Sequence, residues 1–220
     1  MASTPLRRLR ADAARNTERI LVAAHELLSE HGADAQLSAV ASRAGVGAAT
    51  LYRHFASRDE LIYAVLARRF DKDVEPVVAT ALATADPWRA MVDMLSVVLE
   101  VAAGDQRVIA AAQSPDVFTG LAARYFDAFG TVLRRAQDAG VVRDDLVAAD
   151  LPRLTTMLIS AQRLGGAQDA MFLGMGSAGR EPGDGWRRYL ALILDAMRPA
   201  AATPLPLFDA HNVTDSRGRS

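Results

Sequence analysis

Residues 37–61 read LSAVASRAGVGAATLYRHFASRDEL, and this stretch decides the fold. Two short helical segments, 38–44 and 48–55, flank Gly45-Val46-Gly47, where glycine permits a sharp reversal. Ser38 stands where it can cap the first segment. Neither segment is long enough to persist alone. Val40, Val46, Leu51 and Phe55 are therefore expected to pack against Ile20, Leu21 and Leu28 of a preceding helix. The second segment then projects from a three-helix unit, in a form that fits a DNA major groove about 12 Å wide.

The outer face of that second segment does not read as a core stripe. Ala48 and Ala49 are small and let the backbone approach a surface closely. Thr50 offers a hydroxyl and a methyl group, and Tyr52, Arg53 and His54 follow as side chains with polar tips. Phosphate contacts set register on a duplex, and base contacts set sequence. Tyr52, His54 and Arg58 are assigned to phosphates. Gly47, Ala48, Thr50 and Arg53 lie nearer the base edges. Arg43 reaches either, and Ser38 completes the DNA-facing set. The plainer alternatives are a Tyr52 packed on the first helix, a locally capped His54 and a merely solvated Arg53.

Working outward, nearly every segment reads as helix. Ile20, Ala24, Leu27 and Leu28 form one apolar stripe on a helix over 15–31, stopped by Gly32. Residues 1–14 read as a loose basic arm or an extra helical turn. Arg7, Arg8 and Arg10 there suit either a minor-groove arm or a solvated tail. Ser57-Arg58-Asp59-Glu60 is a capping box that opens a long helix, which Pro76 should kink or end. Asp86-Pro87 opens a helix to about 103, Ser114-Pro115 one to about 139, and Asp150 one to about 165. A last amphipathic helix covers about 185–198. The fold class is all-α, with about nine helices. A helix-turn-helix DNA-binding domain is assigned to 1–72, a helical ligand-sensing and dimerisation domain to 73–199, and a disordered tail to 200–220.

Composition narrows the function classes. The chain has 220 residues, a net charge of −1 and no cysteine, so disulfides, thiol catalysis and thiolate metal sites are excluded. Residues 1–72 carry eleven Lys/Arg against eight Asp/Glu, a surplus of three, and the remainder is net negative. That split is mild support for a nucleic-acid partner. The start lacks the apolar core of a signal peptide, and no run reaches the roughly 18 apolar residues that span a bilayer. A cytoplasmic location is expected. No catalytic constellation or zinc spacing is present, so neither an enzyme nor a cofactor is expected. Gly174-Met175-Gly176-Ser177-Ala178-Gly179 matches G-x-G-x-x-G, but without a strand before it and a helix after it the run reads as a loop.

The stretch around the turn resembles the TetR family of bacterial repressors. The resemblance rests on Ile20-Leu21, Ala23-Ala24, Gly32, Ala44-Gly45-Val46, Thr50-Leu51-Tyr52-Arg53-His54-Phe55, Ser57, Arg58 and Leu61. Departures are Ser38 where the family usually has Thr, Gly47 where Ser is commoner, Ala49 for a frequent Gly, and Arg58 for the usual Lys. The family implies an all-helical C-terminal domain that binds an effector and dimerises. Its function would be a homodimeric repressor, released from a palindromic operator by a small molecule. An activator, or an enzyme carrying the same fold, is the alternative.

Candidate pocket residues are Met91, Met94, Phe118, Tyr125, Phe126, Phe129, Met157 and Gln162. Methionine adapts to irregular space, which suits a largely apolar effector, although such a stripe is more often plain core. Candidate dimer contacts are Leu158, Ala161, Gly165, Leu190, Ile193, Leu194 and Met197, forming a four-helix bundle from two copies.

Overall fold

The computed structural model describes residues 5–163, 185–199 and 203–206. Ten α-helices occur among them: α1 Pro5–His31, α2 Leu37–Arg43, α3 Ala48–His54, α4 Arg58–Arg69, α5 Glu75–Ala83, α6 Pro87–Gly104, α7 Gln106–Ala110, α8 Thr119–Asp138, α9 Asp150–Arg163 and α10 Gly185–Ala196. Short 3-10 turns cover Gly32–Asp34 and Pro115–Phe118. The described residues contain no strand, so the expected all-α class holds.

Start signals in the sequence became helix starts where a side chain could satisfy an amide. The Ser57 hydroxyl accepts from the Glu60 amide at 3.1 Å, as in a capping box, while the Glu60 carboxylate accepts at 2.7 Å from the Ala56 amide, one residue before the cap. Asp86 accepts from the Arg89 amide at 3.0 Å, with Pro87 opening α6. Ser114 accepts from the Asp116 amide, but the turn it caps is 3-10, and α8 begins only at Thr119. Ser38 does not cap α2. Gln36 stands at that position without a side-chain bond, and Ser38 is already inside the helix. At the chain's start, helix reaches back to Pro5 instead of beginning near Arg15.

The break after α4 lies before Pro76. Residues Phe70–Val74 form a π-helical turn in which the Glu75 amide donates to the Phe70 carbonyl, one residue further back than an α-helix allows. Pro76 then falls in the first turn of α5, where its missing N–H costs nothing. The widened turn, not the proline, separates the two helices. α7 was not expected, because Gly104-Asp105 resembles a helix end and the helix that follows is only five residues long.

A single cluster of buried apolar side chains runs from Ile20 on α1 to Met197 after α10. α1 packs on α2, α4 and α7; α6 packs on α5, α8 and α9; α9 packs on α10. Met91, Met94, Leu99 and Phe129 are fully enclosed where α6 meets α8. Tyr125 is buried beside them and donates its hydroxyl to the Met94 carbonyl at 2.9 Å, and burial pushes its phenol far above the ordinary range. The tail expected to be disordered has order at 203–206. Arg143 donates to the Thr203 carbonyl at 2.6 Å, and Asp145 accepts from the Leu205 amide at 2.8 Å. The G-x-G-x-x-G run lies outside the described residues.

Candidate nucleic-acid interface

The turn between α2 and α3 is built by the backbone. The Val46 amide donates to Ala41 and the Gly45 amide to Ser42, at 3.0 and 3.1 Å, the paired bonds of a Schellman ending. Gly45 holds φ +64°, the left-handed region, and a Cβ placed there would meet nothing nearer than Arg19 Nη1 at 3.6 Å. The glycine is required for conformation and not for space. Gly45→Ala should cost about 1–2 kcal/mol, read by thermal or denaturant unfolding.

α3 is held by Leu51 and Phe55, both enclosed, one helical turn apart. Val40 on α2 and Ile20, Leu21 and Leu28 on α1 are also buried, and Val46 packs partly against them. With that edge anchored, the opposite face is outward. Gly47, Ala48, Ala49, Tyr52 and Arg53 are exposed, Tyr52 to 55%, and Thr50 is half-buried at the flank. Gly47 caps α3 without a side-chain bond, as its lack of a hydroxyl implies.

The other expected contacts divide. His54 turns back toward α1, its Nδ1 3.4 Å from the Thr17 hydroxyl. That hydroxyl also lies 3.1 Å from the Ala13 carbonyl, to which it donates. Arg43 pairs with Glu30 of α1, Nη1 lying 3.0 and 3.1 Å from the two carboxylate oxygens. The guanidinium holds the Glu30 carboxyl below its usual range, and Arg43 is raised in return. The pair is open to solvent, so it is a weak tie that a phosphate can compete with. Ser38 is exposed on α2.

Arg58 lies against the turn between α1 and α2. Its guanidinium donates from Nη1 to the Ala35 carbonyl at 2.6 Å and from Nη2 to the Gly32 carbonyl at 3.0 Å. Those oxygens close the turn between α1 and α2, so Arg58 braces that turn from α4. Arg58→Gln should lower unfolding stability by about 1–3 kcal/mol, the usual worth of hydrogen bonds to a charged group.

Met91, Met94, Tyr125 and Phe129 sit in the α6–α8 core, with Phe118 and Phe126 half-buried beside it. Met157 is 62% exposed on α9. An open cleft of about 510 Å³ lies elsewhere, bordered by Gln137, Arg143, Asp145 and Pro204. Leu158, Leu190 and Met197 are enclosed within the protomer, because α9 and α10 turn these positions onto their own core. Ile193 and Leu194 are half-buried, while Leu192 and Tyr189 face outward. Gly165 lies outside the described residues, as do the side chains of Ala161 and Gln162. No group of three or more His, Cys, Asp or Glu suited to a metal ion occurs among the described residues. No described helix is long and apolar enough to cross a membrane.

Residues 20–65 match the family model described as bacterial regulatory proteins, tetR family. An HTH-type transcriptional regulator of Staphylococcus aureus strain USA300 is 39% identical over 64 residues, which are 29% of this chain and 35% of that protein. The chain therefore aligns with about a third of the length of the curated relatives it matches. Over a longer span, a TetR transcription regulatory protein from Mycobacterium vanbaalenii has a TM-score of 0.56 and 28% identity, covering 86% of this chain and 99% of that one. A TetR transcriptional regulator from Streptomyces coelicolor has a TM-score of 0.54 and 25% identity, covering 83% and 98%. The chain thus carries, over residues 20–65, the helix-turn-helix of the TetR family, on a helical fold shared with solved regulators of that family.

Proposed function

We propose that the protein is a homodimeric transcriptional repressor that reads a palindromic operator with α3 and is released by a small-molecule effector. The observation that carries this reading is the outward face of α3. Tyr52 and Arg53 stand clear of the core on a helix anchored by Leu51 and Phe55. A helix so mounted offers side chains to base edges and phosphates without unfolding anything. In this division, residues 1–72 read DNA, 73–199 sense and dimerise, and 200–220 form a tail. The location is cytoplasmic, with the DNA it reads.

Dimerisation is supported by the outer faces of α9 and α10, where Met157, Tyr189 and Leu192 are 62%, 46% and 57% exposed. An isologous contact of these faces makes a four-helix bundle and presents two copies of α3 to one face of a duplex. A largely apolar effector is supported by the methionine and aromatic side chains between α6 and α8, which can repack around a guest. An effector favouring a conformation with mis-spaced reading helices lowers DNA affinity by a coupling of typically 1–3 kcal/mol.

Selection of duplexes from a random-sequence pool tests the reading. The expected product is an inverted repeat with half-sites about 10 base pairs apart or a multiple of that. Recovery of unrelated sequences bound only at low salt would leave non-specific attraction and remove the operator. An activator differs in the sign of the effect on a reporter promoter carrying the selected site.

A further inference from the structure

The most enclosed charge among the described residues is the Asp105 carboxylate, 2% exposed at the junction of α6 and α7. Its Oδ1 lies 2.7 Å from His25 Nε2 on α1. Its Oδ2 lies 3.4 Å from Arg69 Nε at the end of α4. Arg69 in turn reaches Asp73 in the π-helical turn, Nη1 to Oδ2 at 2.7 Å. The His25 contact is an aligned hydrogen bond. The Arg69 contacts are ion pairs without that alignment, since Arg69 Nε, Asp105 Oδ2 and Asp73 Oδ2 all lack a hydrogen-bond partner. One half of the clasp is therefore tight and the other half loose.

The clasp lies where α1 and α4 of the reading unit meet the body. Arg107 on α7 donates to the Glu30 carbonyl at the end of α1, at 2.7 Å. The Asp59 carboxylate at the start of α4 accepts from the amides of Gln113 and Ser114, at 2.9 and 3.0 Å. Residues 105–114 are thus fastened to both α1 and α4, while α6, which leads into them, lies in the body's core. Of these ties, Asp105 alone is a buried side chain that contacts both α1 and α4. A π-helical turn beside it gives α4 a place to change register.

We propose that Asp105, held by His25 and Arg69, is a positioning residue that fixes the tilt of the reading unit on the body, and so selects which half-site spacing the dimer accepts. The inference rests on the dimeric operator reading above. Spacing is a demanding test of tilt, because one inserted base pair turns a half-site by about 35° and shifts it by about 3.4 Å. A loosened reading unit follows the displaced half-site, whereas a rigid one does not.

Fluorescence anisotropy with the full chain decides the matter. The probes are the duplex selected by the unaltered protein and versions with one base pair added or removed between half-sites. The unaltered protein is expected to lose on the order of tenfold in affinity for the altered spacings, and Asp105→Asn and His25→Gln less than about threefold. That flattening supports the inference. Simple destabilisation lowers the active fraction on every probe and leaves the ratio intact, so variants that keep the full ratio overturn it. Should Asp105→Asn fail to fold, His25→Gln decides by the same ratio, since His25 lies at the rim of the clasp and not inside it. An unaltered protein that binds selected DNA but ignores spacing overturns the dimer reading and this inference together. One that selects no duplex overturns the DNA reading itself.

Discussion

Tyr52→Ala with Arg53→Ala is expected to weaken binding to the selected duplex by at least about 100-fold, while the unfolding midpoint stays nearly unchanged. Each contact of this kind is worth about 1–3 kcal/mol, and the dimer would lose both of its copies. The folded state loses little, because both side chains are exposed and substitutions at such positions usually stay within about 0.5 kcal/mol. The two singles should differ in character. Arg53→Ala should relax the preference at one base position. Tyr52→Ala should weaken all sequences alike. Titrations of the selected duplex and of single-position variants at fixed salt separate these outcomes. Wild-type affinity in the double variant would mean that α3 does not face DNA.

Met157→Glu with Leu192→Glu is the second large effect. Both side chains are among the most exposed apolar groups described, at 62% and 57%, so charge there is tolerated by a lone protomer. In an isologous interface each new carboxylate meets like charge near the two-fold axis and loses its water. The variant should sediment as a folded monomer. Its operator affinity should fall by on the order of 100-fold or more, because the second half-site is no longer bound intramolecularly. A variant that stays dimeric would move the interface elsewhere on the molecule.

How legible this was in the sequence depended on where each signal resides. Gly45, the Ser57–Glu60 box and Asp86-Pro87 act within four residues, so their roles could be read from the string alone. The inward set of the reading unit, Ile20, Leu21, Val40, Leu51 and Phe55, followed from spacing, because only one face of each short helix could be buried. Arg58 could not be read that way. Its partners are the carbonyls of Gly32 and Ala35, groups that every residue has, and only the folded turn brings them together. The inward positions of α9 and α10 were hidden for a related reason. Met157 and Leu158 are adjacent apolar residues, and which one faces inward is decided by packing against a helix more than fifty residues earlier in the chain. The clasp on Asp105 joins residues 80 positions apart, and the helix that follows it is only five residues long, too short to show a periodic pattern.

The absence of cysteine allows a direct test of the central claim that α3 lies in the major groove. Ala49→Cys, on the exposed face of α3, gives one attachment point per protomer for an iron–EDTA cleavage reagent. Cleavage of the selected duplex should fall in two patches about one helical turn or a multiple apart, each centred on a half-site. The same reagent on Asp195→Cys of α10 serves as the distant control and should leave those patches uncut. Even cleavage along the duplex from the α3 position, or a pattern indistinguishable from the control, would contradict the account.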